Sequence, residues 1–138
     1  MRVLGIDYGD SRIGVSVSDP FGWTAQGLET INATKGMKTV LNRLEEIIHH
    51  YTVEKIIVGF PRNMNGTIGE RAVKTEKFIS LLHERFNITV EKWDERLTTV
   101  AAQRLMNESN IKSKKKKGLI DTISSTYILQ GYLDSIKE

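Results

Sequence analysis

The sequence predicts an α/β fold: a mixed five-stranded sheet, three strands antiparallel and then two parallel, flanked by helices. Three observations predict it. Two short strand-like runs, residues 2–8 and 12–18, are joined by the turn "GDSR". The run "KIIVGF" at 55–60 is almost continuously apolar, as in a parallel strand covered on both faces. Between and after these runs the apolar residues change from alternation to helical spacing.

In the first run Val3, Gly5 and Asp7 share one face, and Leu4, Ile6 and Tyr8 the other. In the second, Ile13, Val15 and Val17 alternate with Gly14, Ser16 and Ser18, the pattern of a half-buried strand. After the turn "DPFGW", residues 24–31 complete an antiparallel meander. Met37, Val40, Leu41, Leu44, Ile47, Ile48 and Tyr51 then recur at the spacing of a strong amphipathic helix. Beyond 55–60, "PRNMNG" is a loop and "TIGE" at 67–70 has the pattern of a capping box. The helix it opens carries Ile68, Ala72, Ile79, Leu82 and Phe86 on one side. Residues 88–94 read as a fifth strand, with helices near 98–107 and 119–136 to follow. The order βββαβαβαα feeds the meander into right-handed β-α-β crossovers and makes the first strand central.

A chain of 138 residues suits one domain that buries roughly two-thirds of its unfolded surface. Without cysteine, disulfides and thiolate metal sites are excluded. No apolar run approaches the roughly 20 residues of a membrane span, and Asp7 interrupts the N-terminal run before it reaches the length of a signal core. A cytoplasmic protein with no membrane partner is expected. The net charge is +3, but "IKSKKKKG" at 111–118 holds five lysines and no acid, so the remaining residues sum to −2. Such a distribution favours one local anion contact over a generally basic surface.

An unpaired carboxylate is costly to bury, so Asp7 in a strand-like run is solvent-facing, paired or coordinating. Asp94, Glu95 and Arg96 close the fifth strand, and Asp121 lies in the first turn of the last helix. Around a central first strand these acids converge, and convergent carboxylates suit Mg²⁺ or Mn²⁺, which take oxygen ligands. Two such ions roughly 3.5–4 Å apart can activate a water and stabilise the leaving oxygen of a phosphodiester. Plainer roles compete. Asp7 suits a strand edge, Asp121 a helix N-terminus, and Asp94 or Glu95 an ion pair with Arg96. Strand phase leaves Asp94 and Glu95 both open.

Arg62, Asn63 and Asn65 fall in a loop at the C-terminal end of a parallel strand, where open α/β sheets bind ligands. Lys114, Lys115, Lys116 and Lys117 directly precede Asp121 and suit a phosphate backbone; a solvated, mobile loop is the plainer role. Trp23 and Trp93 are expected in the core. "GDSRIGVS" at 9–16 has the glycine spacing of a P-loop but Val15 at its lysine position.

Four stretches, "LGIDYGDSRIGVSVSDP" (4–20), "IVGFPRNMNGTIG" (57–69), "DERLTT" (94–99) and "IDTISSTYILQGYLD" (120–134), resemble the YqgF/RuvX family of pre-16S rRNA nucleases and Holliday junction resolvase-like proteins. The resemblance spans nearly the whole chain. It implies a ribonuclease H-like fold, with residues 1–138 forming one nuclease domain. It makes Asp7, Glu95 and Asp121 the catalytic carboxylates and the ligands of Mg²⁺ or Mn²⁺. Arg12, Arg96 and the loop residues Arg62, Asn63 and Asn65 become contributors to the nucleic-acid surface, beside the four lysines. Asn65 stands where the family commonly has Asp, Arg62 where Leu is common, and Ser124 and Ser125 where alanines are common. The first change argues against a metal ligand in that loop. The implied activity is phosphodiester hydrolysis at the 5′ end of precursor 16S rRNA, with ribosomal particles as partners. Two alternatives remain: a resolvase of four-way DNA junctions, which requires a dimer for two symmetric cuts, and a non-catalytic RNA-binding factor of ribosome assembly. A kinase-like ATP-binding protein is a third rival, although such proteins close two large domains over the nucleotide and 138 residues do not supply both; absence of a nucleotide-induced thermal shift removes it.

Overall fold

The computed structural model describes residues 1–61, 69–94 and 113–136, the last stretch in its side chains only from residue 120. Its elements are β1 (Arg2–Asp7), β2 (Arg12–Ser18), β3 (Ala25–Asn32), α1 (Met37–Tyr51), β4 (Val53–Phe60), α2 (Glu70–Phe86), β5 (Thr89–Asp94) and α3 (Ser113–Ile136). The sheet order is β3-β2-β1-β4-β5, so β1 is central as expected. β1 pairs antiparallel with β2 and parallel with β4. β3 extends the antiparallel side and β5 the parallel side. The helix expected near 98–107 lies outside the described residues. Among those described, no helix is long and apolar enough to cross a membrane.

The alternation read from β1 sorts its side chains between two cores. Leu4 and Ile6 join Ile13, Val15, Val17, Val40, Leu44, Phe78 and Leu82 beneath α1 and α2. Val3 faces the other way and packs with Ile57, Ile128, Leu129, Tyr132 and Leu133 beneath α3. Asp7 is therefore in phase with the α3 side of the sheet.

β2 departs from expectation. Its alternation suggests one solvated face, yet Ser16 and Ser18 are fully buried. The physical reason is residue size. On neighbouring strands Gly5, Ser16 and Gly27 lie side by side in register, forming a shallow furrow across the sheet. A Cβ on Gly5 would come within 2.6 Å of Ser16 Oγ and 2.7 Å of Leu129 Cβ; one on Gly27 would come within 2.6 Å of Thr122 Cγ2. α3 lies down in this furrow, closer than side chains of ordinary size allow. The two β2 hydroxyls covered there are bonded: Ser16 Oγ donates to Ser125 O at 2.9 Å, and Ser18 Oγ accepts from Val3 N at 2.8 Å beside an irregularity in the β1–β4 register. Replacing Ser16 by alanine is expected to lower stability by about 1 kcal/mol, the net worth of one buried hydrogen bond. In a thermal melt followed by circular dichroism that is a fall of about 4 °C.

Two boundaries also move. α2 begins at Glu70 with Gly69 as its N-cap and no side-chain cap bond, so Glu70 is the first helical residue and not the third that a box led by Thr67 requires. α3 begins at Ser113, which places Lys114–Lys117 in the helix and not in a loop. The lysines lose little by this, since Lys has high helix propensity. Trp93 packs edge-on against Tyr132, with ring centroids 6.1 Å apart, in agreement with a core role. Trp23 does not: it is 63% exposed, in the β2–β3 turn, beside the still more exposed Phe21.

Candidate functional site

β1, β4 and β5 run parallel and end at one edge of the sheet. Ile6 pairs with Val58, and Phe60 with Asp94, so Asp7 and Asp94 reach the same edge on strands two places apart. At the usual inter-strand spacing that is about 10 Å. Asp7 is only 6% exposed. Its placement follows from the sequence directly: it is the last residue of a strand whose preceding residues are apolar or glycine, so the strand carries it to the mouth of the core.

Across from Asp7 in the antiparallel pair stands Gly14. A Cβ on Gly14 would overlap the carbonyl group of Asp121 and lie 3.1 Å from Thr122 N. The backbone of α3 therefore rests directly on β2 at this point, which brings Asp121 beside Asp7 from an element 114 positions along the chain. Thr30 and Thr122 share a hydrogen bond of 2.8 Å that ties the same turn of α3 to β3. Asp121 is the ninth residue of α3, more than two turns inside it. The expectation of a first-turn acid is thereby corrected, and the helix dipole no longer accounts for this residue, because that effect fades within one turn.

Each of the two acids has an arginine beside it. Arg12 Nε donates to Asp121 Oδ2 at 2.6 Å from a side chain that is 44% exposed, at the rim of the site. Arg71 of α2 lies 3.5 Å from Asp7 Oδ1 and also donates to Tyr8 O at 3.0 Å. Lys74, one turn further along α2, lies 3.4 Å from Asp10 in the β1–β2 turn. Sequence reasoning missed Arg71 and Lys74. A signal was present, since two cations at the start of a helix oppose its dipole and suggest an attachment elsewhere.

β5 assigns a side of the sheet to Asp94, one of the two acids that the sequence left open. Lys92 pairs with Glu76 of α2, whereas Trp93 packs against Tyr132 of α3. By alternation Asp94 belongs to the α2 side, away from the side on which Asp7 and Asp121 meet. Glu95, Arg96, Arg62, Asn63 and Asn65 lie outside the described residues, as do the side chains of Lys114, Lys115, Lys116 and Lys117. Among the described residues no three His, Cys, Asp or Glu side chains form a metal-sized cluster. Asp7 and Asp121 supply carboxylate oxygens without nitrogen or sulfur donors, a set that fits a hard divalent cation. Neither acid lines the larger described cavities: one of about 600 Å³ is lined by Ile48, His49 and Phe86, and one of about 460 Å³ by Ile31, Thr39 and Asn42.

The family model described as "RuvX: Holliday junction resolvase" matches residues 1–135. A protein of Ruminiclostridium cellulolyticum, provisionally named pre-16S rRNA nuclease, is 58% identical over 136 residues, covering 99% of this chain and 96% of its own. Proteins with the same provisional name in Acetivibrio thermocellus and Bacillus subtilis are 60% and 46% identical, covering 98% and 99% of this chain and 96% and 99% of their own. Among solved structures, Thermus thermophilus RuvC bound to a Holliday junction superposes with a TM-score of 0.58 at 16% identity, covering 98% of this chain and 94% of that one. Fowlpox virus resolvase bound to junction DNA gives 0.60 at 15% identity, covering 100% of both chains. At such identities these two structures speak for the fold alone, and the fold they share is the ribonuclease H-like one.

Proposed function

Because the chain belongs to the RuvX family, we propose that it is a metal-dependent nuclease that trims the 5′ end of precursor 16S rRNA during ribosome assembly in the cytoplasm. Residues 1–138 act in this reading as one nuclease domain. The observation that carries it is the meeting of Asp7 and Asp121 on one side of the central strand, held close by the bare backbone of Gly14. Asp7, Glu95 and Asp121 are the catalytic carboxylates and would hold Mg²⁺ or Mn²⁺. Glu95 is preferred to Asp94 because the latter is in phase with the α2 side of β5. When bound, the ion supplies Lewis-acid polarisation of the scissile phosphate and eases deprotonation of the attacking water.

The protein's own residues do the rest. Arg12 orients the Asp121 carboxylate through the 2.6 Å bond. Arg12, Arg62, Arg96 and Lys114–Lys117 neutralise backbone phosphates, with Asn63 and Asn65 as polar contacts. Binding should therefore weaken steeply as salt rises. The precursor rRNA is favoured as substrate because relatives at 46–60% identity carry that name; the family description favours four-way DNA junctions as the second reading.

Purified protein presented with a precursor 16S rRNA 5′-end fragment and with a four-way DNA junction, each in Mg²⁺, Mn²⁺ or EDTA, separates the readings. The expected result is cleavage of the RNA in either metal and none in EDTA. Symmetric cutting of the junction by a stable dimer would replace the rRNA reading with the resolvase one. Binding without cutting in every metal condition would leave an assembly factor.

A further inference from the structure

We propose that Arg71 is a phosphate ligand held in reserve on the metal site: before metal binds, its guanidinium balances Asp7, and when a divalent cation takes that carboxylate it turns to the nucleic-acid backbone. The inference rests on the metal-site reading of Asp7 and Asp121 and adds a residue, on α2, that the reading does not contain.

Local structure does not explain a cation at this position. Arg71 is the second residue of α2, where a positive charge opposes the helix dipole, and the Gly69 N-cap contributes no side-chain bond. What the position does provide is reach. The side chain crosses from the α2 side of the sheet over its C-terminal edge to Asp7, touching Tyr8 O on the way. Its two ends differ in environment: the Arg71 side chain is 54% exposed, and that of Asp7 8%. Arg12 repeats the arrangement from the opposite flank, 44% exposed and bonded to Asp121. Each described acid of the site is thus balanced by an arginine half immersed in water, and Lys74 continues the basic rim along α2.

Such an arrangement cannot persist unchanged once a divalent cation binds. A guanidinium does not lose its proton at any ordinary pH, so it cannot stand aside by neutralisation. A cation and Arg71 would compete for the same carboxylate oxygens and repel each other at close range. Exposed, flexible and planar, the guanidinium is suited to the incoming phosphates, which it can engage through two parallel hydrogen bonds. One residue therefore keeps the buried acid balanced while the site is idle and contacts substrate when the site is loaded.

The test compares wild type with Arg71→Ala, Arg71→Gln, Arg71→Lys and, as a control, Asp7→Asn. Binding of Mn²⁺ alone is read from the loss of the free-ion electron paramagnetic resonance signal, with no nucleic acid present. Binding of a hydrolysis-resistant phosphorothioate RNA is read by fluorescence anisotropy in saturating Mn²⁺ across a range of salt. Arg71→Ala should bind Mn²⁺ at least about fivefold more tightly than wild type, the scale of one unit charge removed from about 4 Å in a water-like surround. The same variant should bind the RNA more weakly, with a salt slope reduced by about one. Arg71→Lys should keep the wild-type Mn²⁺ affinity and restore RNA binding only in part, having the charge without the fork. Arg71→Gln repeats the neutralising test on a residue of similar length should the alanine variant fold poorly. A merely structural Arg71 predicts the opposite sign for the metal. If Asp7→Asn abolishes Mn²⁺ binding while neither neutral variant tightens it, the inference is overturned and the metal-site reading stands. If wild type binds no Mn²⁺, both fall together.

Discussion

Asp7→Asn is expected to abolish metal-dependent cleavage while leaving the fold intact. The substitution keeps the size and shape of the side chain and removes its charge. Loss of a group that merely orients a metal ligand costs about 10–100-fold in affinity or activity, so loss of the ligand itself should cost at least about 100-fold in kcat/KM. Stability should move the other way or not at all. Asp7 is almost completely buried, and a neutral amide is less costly to bury than a carboxylate. A melting temperature equal to or above that of wild type, together with lost cleavage and lost Mn²⁺ binding, is the full expected outcome. Retained cleavage would remove Asp7 from the chemistry. A collapse in melting temperature would make it a structural residue whose ion pair with Arg71 holds the sheet edge.

The second large effect is expected at a residue with no side chain. Gly14→Ala adds one methyl group, and that methyl falls on the backbone of Asp121. A clash with the end of a flexible side chain can be relieved by rotation. Here the obstacle is a carbonyl inside a helix whose own hydrogen bonds resist displacement, so α3 must lift or β2 must bend. Overpacking of a well-fitted core costs typically 1–3 kcal/mol, and a backbone obstacle places this case at the upper end, about 3 kcal/mol or about 10 °C in melting temperature. Activity should fall even at temperatures where the variant is folded, because the displaced segment carries Asp121. Gly5→Ala is a useful contrast. Its new Cβ meets Ser16 Oγ, Leu129 Cβ and, at 3.1 Å, Ser125 O, at least one turn of α3 beyond Asp121, so it should destabilise the protein while disturbing the site less. If the two variants lose cleavage in equal proportion, the close approach at Gly14 has no special part in forming the site.

Much of this protein was legible in its sequence, for reasons that are local. Alternation in residues 2–8 and 12–18, the continuous apolar run at 55–60 and the helical spacing of 37–51 each record a choice between one buried face, two buried faces and a stripe. The elements found at Arg2–Asp7, Arg12–Ser18, Val53–Phe60 and Met37–Tyr51 follow those patterns closely. Even the face of Asp7 could be assigned, because a strand turns every second residue the same way. Glycine and serine on β2 were legible as residues but not in their purpose. A small residue looks the same whether it faces water or a helix that needs room, and only the arrival of α3 in the furrow distinguishes the two. The same limit applies to Asp121, which looks like a helix-start acid until the helix is seen to begin at Ser113. Arg71 shows it most plainly. Its sequence neighbours say nothing of Asp7, 64 positions away, and the ion pair exists because α2 begins at the edge where β1 ends. Periodicity reports burial, which each residue experiences locally. The meeting of Asp7, Asp121, Arg12 and Arg71 depends on the order of strands in the sheet and on how closely one helix can approach it, and those are decided by packing across the whole chain.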